Sequence, residues 1–389
     1  MRKNRILYLA VMITVLGCGL WGGRRLALLI TVLLAVLLAV SAAGLYLSAR
    51  GMTVSLQGKH SCYSGQELRL CIRLRRPAFC FAGSVSMKLL CENYVFTTEE
   101  ETLYVMEPGR GRLSEYDVYA DTADCGERVF RIEEMQCSDL LGLFHAKISV
   151  KEELRCVVYP YDAQIYVSLR RQIMREQIGE IYDAKRSGTD VSEVFGLREY
   201  REGDPLQSIH WKLSGKLKQV IVREFGRPVN YQTLILLAPA LRYGEREVSA
   251  KAVNGVLDLG VSFSHALVNQ NIPHYAGYLL GEEICCMPVD SVQSYETVRN
   301  RLMNLAIPEN GDRVLLSFLN QQLYKEYTKI VYVSGAVDET AARSLFTQAD
   351  LMILQAVDGP SGHLIDRDGY EVISISTEKI RSMEHVIPL

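Results

Sequence analysis

Glu199, Asp204 and His210 lie within one short stretch, "REYREGDPLQSIHWKLSGKLKQVIVREF", which runs from Arg198 to Phe225. Two carboxylates and an imidazole are side chains that exchange protons with substrates, so they could form the acid–base set of a hydrolase. The sequence shows no nucleophile with an oxyanion loop, and no second histidine or carboxylate at metal-ligand spacing. We therefore predict no catalytic residue, and a hydrolase that uses these three side chains remains the alternative.

The same stretch also has a structural interpretation. Asp204 is typical of a helix N-cap, Pro205 suits the first helical position, and Gln207 can complete a capping box. The pattern predicts a short helix that begins at Pro205 and ends near residues 215–218, with Trp211 packed in the core and "QVIVREF" returning as a strand. Basic residues are interleaved with acidic ones, which argues against a nucleic-acid or phosphate site.

The elements around this stretch begin with two apolar runs, Ile6 to Trp21 and Leu26 to Leu47. The second is long enough to cross a hydrocarbon core of about 30 Å. We predict a two-helix transmembrane hairpin over residues 1–50. A cleaved signal peptide and a buried soluble hairpin are the alternatives.

Basic residues set the predicted orientation, because Lys and Arg are retained on the cytoplasmic side. Arg2, Lys3, Arg5, Arg50 and Lys59 flank the hairpin, whereas Arg24 and Arg25 lie in its loop. The cysteines from Cys62 to Cys156 are odd in number, which does not suggest a disulfide framework. We therefore expect reduced thiols and a cell-membrane protein whose soluble domains are cytoplasmic.

The rest of the chain shows two different patterns of apolar and polar residues. Residues 51–160 alternate apolar and polar side chains over short runs, which predicts an antiparallel, immunoglobulin-like β-sandwich. Residues 161–230 contain a linker and the stretch described above. Residues 231–389 alternate apolar strands with helices near 246–270, 291–306, 312–325 and 338–349, which predicts an α/β domain with a parallel sheet. The net charge of −2 gives no general case for nucleic-acid binding.

The segments "GLREYREGDPLQSIHWKLSGK" and "VIVREF" resemble the signature of the bacterial family known as domain of unknown function 58. The chain departs from that signature at Gln207, where Arg is usual, and at Gly215-Lys216, where Ala-Arg is usual. Two N-terminal spans, "DLLGLF" and "VVYP" are also similar to the family. The matching positions are Leu197, Arg198, Tyr200, Gly203, Asp204, Ile209, Trp211, Lys212, Ser214, Val222, Arg223 and Glu224.

The resemblance implies partners and a second fold. Members of the family are often encoded beside MoxR-type AAA+ ATPases and membrane transglutaminase-like proteins, and their C-terminal half resembles a von Willebrand factor A domain. Such a domain binds a divalent metal through Asp-x-Ser-x-Ser after its first strand, since hard cations need several oxygen ligands. In this chain Ala238, Ala240 and Arg242 follow that strand instead, so we predict no metal and no cofactor.

These observations together predict a non-catalytic membrane-tethered scaffold or adaptor that works with a MoxR-type ATPase in assembly or maturation of envelope proteins. A hydrolase and an extracytoplasmic adhesion module are the alternatives. The signature would then be structural or would bind the partner. Its predicted residues are Arg198, Tyr200, Gly203, Asp204, Ile209, His210, Trp211, Lys212, Ser214, Arg223 and Glu224.

Overall fold

The computed structural model describes residues 2–22, 24–78, 80, 82–107, 109, 111–168, 182–188, 194–200, 209–228, 233–337, 339–347, 349–365, 370–381 and 385–388. Of residues 182–188, 194–198 and 223–228 it describes the backbone. The chain divides into two compact units, residues 1–161 with 299–307 and residues 162–298 with 308–389. The first boundary lies next to residue 160, where we predicted the sandwich to end.

Two helices open the first unit, α1 (Arg2–Gly22) and α2 (Arg24–Gly51). They pack against each other, and the Tyr8 hydroxyl donates a hydrogen bond to the Leu34 carbonyl at 2.7 Å. In the part of the chain that the structure describes, α2 from Arg25 onward is the one helix long and apolar enough to cross a membrane. The second span and the cytoplasmic orientation stay predictions.

Nine strands form the rest of the first unit. Sheet order is β1-β3-β6 in one sheet and β2-β9-β7-β4-β5 in the other, with β8 beside β7. Their pairings are antiparallel except that of β2 with β9. The strands are β1 (Thr53–Gly58), β2 (Ser61–Tyr63), β3 (Leu68–Arg75), β4 (Ala82–Asn93), β5 (Thr98–Met106), β6 (Leu113–Ala120), β7 (Gly126–Asp139), β8 (His145–Ile148) and β9 (Glu153–Tyr159).

The two sheets pack around one apolar core as a β-sandwich. Alternate residues of β3, such as Leu70 and Ile72, point inward because successive side chains of a strand face opposite ways. They meet Met87 and Phe130 of the second sheet. Leu45 in the last turns of α2 belongs to the same core, so the helix is continuous with the sandwich.

The second unit contains the remaining strands and helices. Its strands are β10 (Ile165–Ser168), β11 (Tyr182–Gly188), β12 (Val194–Glu199), β13 (Ile221–Pro228), β14 (Thr233–Ala238), β15 (Arg242–Tyr243), β16 (Arg246–Glu247), β17 (His274–Leu280), β18 (Glu283–Val289), β19 (Lys329–Ser334), β20 (Asp350–Val357), β21 (Gly362–Ile365), β22 (Glu371–Ser376) and β23 (His385–Pro388). The helices are α3 (Trp211–Leu217), α4 (Ala250–Asn269), α5 (Val292–Leu302), α6 (Asp312–Asn320), α7 (Glu339–Phe346) and α8 (Thr377–Ile380), with a 3-10 turn at Leu323–Lys325. The part of α5 from Arg299 onward belongs to the first unit.

A seven-stranded sheet of order β18-β17-β14-β19-β20-β22-β21 is the centre of the second unit. The five inner strands are parallel and the two edge strands antiparallel. Leu236 packs with Phe318 of α6 and Leu345 of α7. On the other face, Leu237 lies against Gly260 of α4, where an added Cβ would collide with it. Helices therefore cover both faces of this largely parallel sheet, and every residue of β14 and β19 is buried.

Candidate partner-binding site

The signature stretch contains the short helix α3 and contributes β12 and β13 to a three-stranded antiparallel sheet, in which β13 lies between β11 and β12. Arg198 lies opposite Val222, Leu197 opposite Arg223, and Gly196 opposite Glu224. The fold thus places the backbones of Arg198, Arg223 and Glu224 on neighbouring strands. The side chains of these three residues lie outside the described ones.

The segment that contains Gly203 and Asp204 lies outside the described residues, so the predicted N-cap of Asp204 stays a prediction. Its two ends are described and lie at the start of β13. The Tyr200 amide donates to the Val220 carbonyl at 2.8 Å, and the His210 amide donates to the Ile221 carbonyl at 2.8 Å. Both ends of this segment are therefore hydrogen-bonded to adjacent residues, Val220 and Ile221, at the start of β13.

The prediction of one unbroken helix from Pro205 onward was wrong, because α3 begins at Trp211. Pro205 itself lies outside the described residues. Ile209, which is buried, forms a bridge with Val222, and a residue held in such a pairing cannot also be helical. His210 is the N-cap, since its Nδ1 accepts a hydrogen bond from the Leu213 amide at 3.3 Å. The predicted end was right, because Lys218 closes the helix with a φ of 52°.

Ser214 joins α3 to β13. Its hydroxyl donates to the His210 carbonyl at 3.0 Å and accepts from the Ile221 amide at 2.8 Å. Ile221 and Val222 are buried beside it. Ser214 is therefore a structural member of the signature, which fixes how the helix projects from the sheet.

The positions of Glu199 and His210 do not favour direct proton exchange between them. Both adjoin Ile221, but β12 pairs with one edge of β13 while Ile209 bridges to the other. Two strand spacings separate the edges, roughly 10 Å. With Nδ1 accepting from Leu213, a neutral imidazole carries its proton on Nε2, which leaves no ring nitrogen available as a base.

The outward side of α3 is an exposed, basic surface with an aromatic residue. Trp211 is 68% exposed, so the expectation that it packs in the core was wrong. Tyr200 is 38% exposed nearby in the sequence. Exposed lysines follow Trp211 along the helix. We call Trp211, Lys212, Lys216 and Lys218 the α3 surface. An indole between cations is suited to a partner with an apolar cleft and acidic rim.

A buried tyrosine occupies the end of β14, where the sequence predicted no metal. Beyond the end of β14, the Tyr243 hydroxyl donates to the Ala238 carbonyl and accepts from the Gly335 amide at 2.9 Å. Burial raises the pKa of Tyr243, so the phenol stays protonated. Arg242 pairs with Glu309 at 3.3 Å. Among the described residues, no group of three His, Cys, Asp or Glu side chains is placed to hold a metal.

One feature of the second unit was missed in the sequence. Residues 162–166 and α4 line a pocket of about 430 Å³. In it His265 Nδ1 lies 2.6 Å from Asp162 Oδ2, and the ring stacks on Tyr295 at 4.9 Å. Ser262 also lines the pocket, but it is 1% exposed and its hydroxyl accepts from the Ala163 amide at 2.8 Å. No local pattern could have paired Asp162 with His265, because a hundred residues separate them.

No protein-family model matches the chain, and no curated protein matches it in sequence. Several solved structures resemble part of it, and three of them cover about a quarter of the chain. The first is a cohesin module of a Clostridium perfringens family 33 glycoside hydrolase, with 7% identity, 28% of this chain and 97% of that chain covered, and a TM-score of 0.24. The second is the CARDB domain of a Pyrococcus furiosus protein in complex with di-metal ions, with 7% identity, 28% of this chain and 86% of that chain covered, and a TM-score of 0.20. The third is the PKD domain of an M14-like peptidase from a Thermoplasmatales archaeon, with 13% identity, 27% of this chain and 91% of that chain covered, and a TM-score of 0.17. Similarities this low carry no argument about function.

Proposed function

We propose that this chain is a non-catalytic, membrane-tethered adaptor that presents the α3 surface to a MoxR-type AAA+ ATPase during assembly or maturation of envelope proteins. The ATPase comes from the resemblance to domain of unknown function 58. The observation that carries the proposal is the exposure of Trp211. A large aromatic side chain in solvent, at the centre of a sequence signature, is better suited to binding than to packing.

The anchoring of α2 supports the tether. The helix does not end in a linker at the membrane, since Leu45 and Ala49 are buried in the sandwich core. These packed side chains thereby fix the position of the sandwich relative to the membrane helix. The proposal includes a two-span hairpin, cytoplasmic soluble domains, an immunoglobulin-like sandwich and a von Willebrand factor A-like second unit without its metal.

Co-purification tests this function. The tagged full chain is extracted from native membranes in mild detergent, with and without ATP, and bound proteins are identified by mass spectrometry. Trp211→Ala should lose the ATPase while the thermal midpoint stays unchanged, because the indole makes few contacts. Tyr119→Ala is the matched control, since Tyr119 is 62% exposed on β6 of the other unit.

Two results would count against the adaptor. One is the absence of any ATPase from the parent preparation, or equal recovery from Trp211→Ala. The other is a hydrolytic activity of the parent that disappears in His210→Ala at an unchanged thermal midpoint. The second result would favour the hydrolase.

A further inference from the structure

We propose that the loop of residues 139–144, between β7 and β8, inserts into the bilayer interface and places Leu140 and Leu141 among lipid acyl chains. This inference rests on the proposed membrane tether and deepens it. It makes the sandwich a second point of membrane contact beside the helices, so that the first unit has a fixed depth and orientation.

The loop is built so that two leucines project outward. Asp139 is 2% exposed, and its Oδ1 accepts hydrogen bonds from the Leu143 amide at 2.6 Å and the Phe144 amide at 2.9 Å. Leu143 is buried, whereas Leu140 is 72% and Leu141 42% exposed. The carboxylate therefore holds the backbone in a tight turn, and the adjacent leucines cannot both turn inward.

Contacts to both N-terminal helices fix where the loop lies. The Ser41 hydroxyl donates to Asp139 Oδ2 at 2.7 Å. From α1, Asn4 Nδ2 donates to the Leu141 carbonyl at 3.2 Å and Arg5 Nε donates to the Leu143 carbonyl at 2.6 Å. The loop is thus held against the start of α1 and the late part of α2, within a single compact unit.

The burial pattern of α2 locates the bilayer surface at the same level. Apolar side chains are exposed along α2 from Leu26 to Leu47, and from Leu45 onward the other face is buried in the sandwich. Leu26 to Ala43 spans roughly 27 Å at 1.5 Å per residue, close to the thickness of a hydrocarbon core. Ser41, and with it the loop, therefore lies within about one helical turn of the boundary.

The chemistry of the loop fits lipid better than a protein partner. Its exposed side chains are aliphatic, and they adjoin the basic start of α1, with Lys3 and Arg5. In this arrangement the leucines would contact lipid acyl chains, and the neighbouring cations would contact anionic lipid headgroups. The loop is also bonded to α2 through Ser41 and Asp139, so a bilayer that surrounds α2 would lie beside it.

Tryptophan fluorescence of the full chain in nanodiscs tests the loop. Trp21→Phe and Trp211→Phe remove the two native indoles, and Leu140→Trp then adds one reporter. Leu103→Trp is the matched control, because Leu103 is 68% exposed on β5. It lies away from the loop, since its pairing partner on β4 is Lys88, six positions from Ala82, whereas Ala82 is the partner of Asp139. Each protein is compared in discs of phosphatidylcholine and phosphatidylglycerol with plain or acyl-brominated chains.

We expect Leu140→Trp to show blue-shifted emission that is mostly lost in brominated discs, while Leu103→Trp keeps its emission. If both proteins stay in the discs and Leu140→Trp is as red-shifted and unquenched as the control, the loop proposal is wrong and the tether stands. If the chain is extracted from the discs by alkaline carbonate, the tether itself fails, and the loop inference fails with it.

Discussion

The hydroxyl of Ser41 on α2 lies 2.7 Å from the carboxylate of Asp139 at the end of β7, 98 residues later in the chain. Burial raises the pKa of Asp139, but hydrogen bonds from the Phe144 amide, the Ser41 hydroxyl and the Leu143 amide outweigh it, so the pKa lies below its usual value. One ionised side chain therefore joins the helix, the strand and the loop.

Removal of this carboxylate should loosen the junction. Asp139→Ala should cost about 1.5–3 kcal/mol, the range for hydrogen bonds to a charged group, and should leave buried amides without an acceptor. Hydrogen exchange of residues 140–148 in the detergent-solubilised full chain measures the local change. Asp117→Ala is the control, because Asp117 pairs with Arg69 at 2.6 Å on an exposed face, where little effect is expected. Equal exchange in the two variants would show that Asp139 does not hold the loop.

A buried histidine should make the second unit sensitive to acid. Burial lowers the pKa of His274 to about 4, against an opposing hydrogen bond to the Ile272 carbonyl. The unfolded chain takes up this proton near pH 6.5 and the folded chain near pH 4. Stability is therefore full above about pH 6.5 and falls as the pH drops toward 4, by on the order of 3 kcal/mol.

His274→Gln tests this pH dependence, since an amide cannot titrate but can still bond to Ser264, whose hydroxyl lies 2.7 Å from the ring. Thermal midpoints or exchange of residues 250–280 between pH 7 and 4 should become flatter in this variant. His145→Gln, at an exposed position of the first unit, is the control and should leave the exchange of residues 250–280 as in the parent. An unchanged slope in His274→Gln would assign the acid sensitivity to other groups.

Gly215, where the signature of domain of unknown function 58 usually has Ala, should lower the stability of α3. A Cβ added there would meet open space, and Gly within a helix costs up to about 1 kcal/mol relative to Ala. Gly215→Ala should therefore slow hydrogen exchange in residues 211–217 and leave co-purification unchanged. Gly126→Ala is the opposite case, because its φ is 128° and its Cβ would lie 2.6 Å from Val95. A destabilising Gly215→Ala would mean that α3 does not have the helical geometry described.

Strands with a strong local pattern were predictable. The run from Asp350 to Val357 is largely apolar, and it is an inner strand of the parallel sheet. The start of α3 was not predictable from the sequence. The local helix signals of Asp204 and Pro205 compete with a bridge between Ile209 and Val222. Strand pairing with a residue further along the chain decided where the helix begins, and sequence periodicity does not encode that pairing.

The candidate surfaces were predictable only as sets of residues. The signature identified Trp211, but the hydrophobicity of its side chain predicted that it would be buried. Trp211 is exposed because it lies in the first turn of a helix that projects from the sheet. The exposed leucines of the 139–144 loop were visible in the sequence. Their position beside α2 depends on the Ser41–Asp139 bond, which no spacing rule could supply.

The orientation of the membrane tether is open to a direct test, but the native cysteines are unsuited to it. Those of the sandwich and the second unit are buried or half-buried, so an impermeant reagent would fail to label them on either side of the membrane. Single exposed cysteines are needed instead, in a Cys18→Ala background because Cys18 is exposed. If the basic residues retain both ends of the hairpin in the cytoplasm, Arg25→Cys should react with a membrane-impermeant maleimide in intact cells, and Glu100→Cys should react only after permeabilisation. Labelling of Glu100→Cys in intact cells would place the sandwich outside, and would favour an extracytoplasmic adhesion module over an adaptor for a cytoplasmic ATPase.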